Sequence, residues 1–145
     1  MLIVMAVAFG PAWAGADVVV SDPWIREAPP GAPALAGYME LKNRGNAEAA
    51  LVSVHAAGFG SAMIHRTVYE SGLARMVHVD AVQLPPGATV RFAPGGYHLM
   101  LMSPSAAVHS GDRVEIVLEF SDGQKRPVQF EVRPAGAGVR EHGSD

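Results

Sequence analysis

From Arg113 to Phe120 apolar and polar residues alternate, with Val114, Ile116, Leu118 and Phe120 on one set of positions and Arg113, Glu115 and Glu119 on the other. Successive side chains of a strand point to opposite faces, so this is the pattern of a half-buried strand. Val128, Phe130 and Val132 repeat it, with Gln129 and Glu131 between them. Ser121-Asp122-Gly123-Gln124 separates the two runs, which predicts a hairpin. Further strands are predicted at Val18–Val20, Trp24–Glu27, Ala36–Lys42, Ala50–Ala56, Met63–Tyr69, Ala74–Asp80, Thr89–Phe92 and Tyr97–Met102. Turn residues divide them: Asn43-Arg44-Gly45-Asn46, Ser71-Gly72, Pro85-Pro86-Gly87 and Pro94-Gly95-Gly96. No segment carries an apolar stripe of helical period, and 16 Gly and 11 Pro disfavour helices. Many short strands with Gly/Pro turns predict an all-β, single-domain sandwich of mainly antiparallel strands.

The ends read differently from the middle. Residues 1–16 carry no charge, and Leu2 to Phe9 form an apolar run too short to span a bilayer. Ala12-Trp13-Ala14 and Ala14-Gly15-Ala16 both fit a signal-peptidase site, although no basic residue precedes the run. The expectation is a secretory signal over 1–16, cut after Ala14 or Ala16, and a periplasmic product. The folded domain is then 17–133, and the Gly-rich polar segment 134–145 is a flexible tail. The mature chain is expected to be a monomer with no membrane span.

A net charge of −3 without any Lys/Arg cluster argues against a nucleic-acid partner. There is no cysteine, which removes disulfides and thiolate chemistry together. Seven Met and six His remain as soft and borderline metal ligands.

Their placement is informative. Met63 and His65, Met76 and His78, and His98 and Met100 are each two apart, so each pair shares one face of its strand. Met102 continues the His98–Met100 face, and Tyr97, Leu99 and Leu101 take the other. Imidazole with thioether suits Cu(I), whereas zinc prefers thiolate, imidazole or carboxylate and calcium prefers oxygen.

His65, ten residues, Met76, twenty-one residues, His98, one residue, Met100: this spacing resembles the H-x10-M-x21-H-x-M signature of the periplasmic copper chaperones called PCuAC. Trp24-Ile25-Arg26 with Pro29-Pro30-Gly31 resembles the family's early W-x-R…PG segment. Gly37-Tyr38-Met39 with Asn43-Arg44-Gly45 resembles its Y-M…N-x-G segment. Pro94-Gly95-Gly96-Tyr97-His98-Leu99-Met100-Leu101-Met102 resembles its G-G-Y-H-x-M-L-M block. The resemblance runs from Trp24 to Val132 and implies a cupredoxin-like β-sandwich. It further implies one Cu(I) per chain, held by His65, Met76, His98 and Met100. The cargo would pass to a copper-accepting protein, such as a cytochrome oxidase subunit or a thiol-bearing copper assembly protein. Some members carry a second copper site on a His/Met-rich tail; this tail holds only His142, so a tail-borne site is not expected.

Other residues take lesser roles. Met63, Met102 and His78 are accessory candidates. Asp80 and Glu70 are candidates to orient a ligand imidazole, Trp24 and Tyr97 are expected packing anchors, and His55 and His109 are expected at the surface. A blue-copper electron carrier needs a Cys beside two His, which this chain lacks. No acid–base set accompanies the ligands, so the chain is not expected to be an enzyme. The competing reading is a metal-free sandwich serving as an interaction or adhesion module.

Overall fold

The computed structural model describes residues 15–136. The expected signal therefore lies outside the described residues up to position 14, and the tail from 137 onward. Between them run ten strands and, among the described residues, no helix. They are β1 (Val18–Arg26), β2 (Ala34–Asn43), β3 (Ala49–Ala56), β4 (Phe59–Glu70) and β5 (Leu73–His78). After them come β6 (Val82–Leu84), β7 (Thr89–Phe92), β8 (Tyr97–Pro104), β9 (Arg113–Phe120) and β10 (Lys125–Arg133). The predicted β9–β10 hairpin is present, with Val128 opposite Ile116 and Phe130 opposite Val114.

Two differences from the sequence expectation have physical causes. Val18–Val20 and Trp24–Glu27 form one strand, because a register shift between Ser21 and Trp24 carries the chain past Asp22 at φ 49°. The unexpected β6 is only Val82-Gln83-Leu84, too short to show a period, yet Val82 and Leu84 are buried against β3.

Hydrogen bonds link the strands in the order β5-β4-β8-β7-β2-β1-β10-β9-β3-β6. Pairing is antiparallel except at β1–β10 and β7–β8. Laid flat, such a sheet would be roughly 45 Å wide. Instead β4 touches β3, second and ninth in the order, so the sheet bends back on itself. One apolar cluster fills the interior, including Ile25, Leu41, Leu51, Leu99, Leu101, Ile116, Leu118 and Phe130. Each such side chain contributes about 1.5–3 kcal/mol on burial. This is the all-β, mainly antiparallel architecture expected, and β8 positions the site by giving Leu99 and Leu101 to the core.

Asn43 ends β2 as a fully buried polar residue. Its amide nitrogen donates to Ala47 O (2.8 Å) and Leu84 O (2.9 Å). Its Oδ1 accepts from the backbone N–H groups of Asp17 (3.2 Å) and Gly45 (3.0 Å). One side chain thus ties β2, β6 and the chain before β1, satisfying groups that would otherwise be buried unpaired.

Candidate metal centre

Three neighbouring strands build the site. On β4–β5, His65 is opposite His78 and Thr67 opposite Met76. On β4–β8, His65 is opposite His98, Met63 opposite Met100 and Ser61 opposite Met102. Opposed residues share a face. His78, His65 and His98 therefore form a row across the sheet. Met63 and Met100 lie one row to one side, and Met76 lies one row to the other.

The row is graded in exposure. His98 is 4% exposed, His65 is half-buried, and the His78 side chain is 56% exposed. Met100 and Met63 are half-buried, while Met76 on the edge strand is 58% exposed. The turn after β7 explains the inner end: Gly95 at φ 83° reverses the chain, and Gly96 O lies 3.3 Å from His98 Nδ1. With Nδ1–H donated to that carbonyl, the lone pair of His98 sits on Nε2.

His98 Nε2 is buried without a hydrogen-bond partner, and so is His65 Nδ1. Buried polar atoms are almost always paired, so two orphans on adjacent rings call for an explanation. A metal ion accepts both lone pairs at once. The ring centroids of His65 and His98 are 5.7 Å apart, and those of His65 and His78 are 6.1 Å apart. Two imidazoles sharing one ion at about 2.0–2.1 Å have centroids at most ~6.4 Å apart, so either pair fits. Among the described residues, no three His, Asp or Glu side chains gather around one point. The thioethers of Met63, Met76 and Met100 on the same face are the soft donors nearest these rings.

Of the four expected ligands, His65, His98 and Met100 adjoin. Met76 is on the same face but two strands and two rows from Met100, roughly 17 Å between Cα atoms on a flat sheet. Met63 is nearer to Met100 than Met76 is, and Met102 is two rows from His65. Asp80 binds His78, with Oδ1 3.1 Å from Nε2, and Glu70 pairs with Arg75 at 3.5 Å instead of with an imidazole.

Burial first, then the neighbouring imidazoles of His98 and His78, hold the His65 pKa below the ordinary histidine value. The neutral ring that a metal requires is thereby favoured.

The face continues beyond β8. Gly37 of β2 is opposite Leu99, and Tyr38 and His98 are the next residues on each strand. Tyr38 is in turn opposite Trp24, with ring centroids 4.8 Å apart. The Arg26 guanidinium lies 5.6 Å from the Tyr38 ring and 6.0 Å from the Trp24 ring, and Arg133 lies 5.6 Å from Trp24. Burial pushes the Tyr38 hydroxyl pKa up, opposed by Arg26. Trp24 is the packing anchor expected, and Tyr97 is another, stacked on Phe92 at 5.5 Å. The Tyr38–Arg26 side of the site went unread in the sequence, though alternation puts Trp24 and Arg26 on one face.

The chain belongs to the LpqE-like family, whose model, described as "Putative lipoprotein LpqE-like", matches residues 18–132. A relative from Leifsonia xyli, named "Putative lipoprotein Lxx21020", is 33% identical over 80% of this chain and 69% of its own. The fold is that of PCuAC domains, as the signature implies. The copper-bound PCuAC domain from PmoF2 superposes with a TM-score of 0.68 at 26% identity, covering 81% of this chain and 92% of that one. The Cu(I) form of DR1885 from Deinococcus radiodurans superposes at 0.64 with 28% identity, covering 79% and 76%.

Proposed function

We propose that this protein is an exported copper carrier that takes one Cu(I) as cargo and surrenders it to an acceptor protein. The observation that carries this reading is the pair of buried, unpartnered nitrogens, His65 Nδ1 and His98 Nε2, on adjacent rings beside Met100. The likeness to copper-bound PCuAC structures supports the choice of metal. The signal-like segment 1–16 and the relatives named as lipoproteins support export to the cell envelope.

His65, Met76, His98 and Met100 supply the donors. Two imidazoles and two thioethers are all neutral, so bound Cu(I) keeps its single positive charge. No anionic ligand locks the ion in place. A thiolate-bearing acceptor, such as an oxidase copper subunit or its assembly factor, takes the ion by stepwise ligand exchange. No redox change is involved, which fits a carrier and not an enzyme.

Titration of the apo protein with Cu(I) against a chromophoric chelator tests the proposal. One equivalent should bind, with affinity lost when Met100 or His98 is replaced by Leu. Absence of binding above background would leave the metal-free interaction module. Retention of copper in the presence of a thiol-bearing acceptor would refute the carrier role.

A further inference from the structure

The outermost strand of the site, β5, has an open side. Among the described strands it pairs only with β4 and ends the sheet. In an antiparallel pair, opposed residues alternate between those that bond each other and those whose N–H and C=O point away. Val79 N–H donates to Ile64 O at 2.9 Å, so those two residues bond each other. Thr67 N–H is spent on Gly96 O, on the β8 side. The pairs His65–His78, Thr67–Met76 and Tyr69–Ala74 are therefore the unbonded ones, and the backbones of Ala74, Met76 and His78 open outward. These residues share the face that carries the copper donors.

Sheet edges are ordinarily blunted by Pro, by Lys or by shortness. The opposite edge is: β6 is only Val82–Leu84 and runs into Pro85-Pro86. β5, Leu73-Ala74-Arg75-Met76-Val77-His78, holds neither Pro nor Lys, and its Arg75 is paired with Glu70 at 3.5 Å. Tyr69, Leu73 and Met76 add exposed apolar surface on the same hairpin. His98 is buried and His65 and Met100 are half-buried, so a partner reaches the ion from the Met76 side. Resting on the copper reading above, we infer that an extended segment of the copper acceptor, bearing a cysteine among apolar residues, adds to β5 as a further strand. Residues opposed in a bonded pair have Cα atoms about 5.5 Å apart and share a face. A cysteine opposite Met76 thereby stands beside the most exposed of the four donors. Its thiol proton leaves to solvent, its sulfur bonds to Cu(I) as the Met76 sulfur lets go, and the ion stays Cu(I). The backbone thus aligns the acceptor before the first ligand is exchanged.

The probe is a blocked synthetic peptide of alternating Val and Thr around one Cys, with Lys at both ends. Added to the 15N-labelled Cu(I) protein, it should protect the outward amides of Ala74, Met76 and His78 from hydrogen exchange and leave those of Arg75 and Val77 as they were. Ala74→Pro removes one outward N–H, which pairing with β4 does not use. It should keep Cu(I) affinity within threefold of the parent, slow transfer to the peptide at least fivefold, and leave withdrawal by bicinchoninate unchanged. Unslowed transfer to the peptide, equal slowing for peptide and chelator, or no amide protection in the parent would overturn the inference. So would concentration-dependent protection of the same amides without peptide, which would assign the edge to a second copy of this chain. Should Ala74→Pro fail to fold, the parent's amides decide alone. A parent protein that binds no Cu(I) would overturn the copper reading and the acceptor with it; Cu(I) binding without amide protection would overturn the strand addition alone.

Discussion

Replacing His98 by Leu should make the apo protein more stable while abolishing its response to copper. His98 is 4% exposed, and its Nε2 has no hydrogen-bond partner. A buried polar atom left unpaired costs about 1–3 kcal/mol. Against that, the variant loses the Nδ1–Gly96 contact, which at 3.3 Å is long and contributes at most about 0.5–1 kcal/mol. Leu has nearly the volume of His and adds apolar burial. The net expectation is a gain of about 1 kcal/mol, or roughly 3–5 °C in Tm for a domain of this size. Copper reverses the order. At a free Cu(I) concentration a hundredfold above Kd, binding stabilises the parent by about 2.7 kcal/mol. The variant should gain nothing. Urea denaturation of both proteins, with and without buffered Cu(I), reads all four values. An apo variant less stable than the parent by more than ~1 kcal/mol would refute the idea that the site stores an unpaired group for its cargo. Equal copper stabilisation of both proteins would refute His98 as a ligand.

Other expectations are simpler to state. With the folded His65 pKa below the unfolded value of 6.5, the unfolded chain binds more protons between the two. The stability contribution is complete above pH 6.5 and is lost as pH falls to the folded value. His65→Leu should flatten that part of the profile, and the parent's Cu(I) affinity should weaken as pH falls below the ordinary histidine value and protons compete for the ring. Asn43→Ala removes four hydrogen bonds at a buried position and should cost about 3–5 kcal/mol in denaturant unfolding. Asn43→Asp should not restore it, because a carboxylate would face the Ala47 and Leu84 carbonyls. Gly45→Ala would drive its methyl into the backbone at Gly15 and Asp17; a cost below about 1 kcal/mol would show that this segment moves aside freely.

Much of the fold was legible because a period of two marks a strand wherever one face is buried. β7 and β9 span the predicted residues, Thr89–Phe92 and Arg113–Phe120. Val82-Gln83-Leu84 offered too few positions for a period to show. Val18–Val20 and Trp24–Glu27 read as two strands because a bulge interrupts the alternation between them without ending the strand. At the site, alternation already put Met63 with His65, Met76 with His78, and His98 with Met100. It did not reveal which pairs would stand opposite. Cross-strand register depends on turn geometry and on the partner strand, and neither is written in the strand itself. The His78–His65–His98 row emerged only in three dimensions. So did the pairing of Gly37 with Leu99, which brings Tyr38 to the His98 end of β8, and the packing of Arg133 from β10 against Trp24 of β1.

That last meeting matters for how the molecule comes into being. β1 lies between β2 and β10, running parallel to β10 with Trp24 opposite Glu131, and Glu27 N–H donates to Arg133 O at 2.8 Å. Among the described strands, β1 cannot complete its ladder until β10 has followed. Completing the sheet must bring these distant strands together, so folding should be slow, and a polypeptide shortened before Phe130 should be a protease substrate and not a smaller domain. Until β10 has been made, one side of β1 lacks its partner.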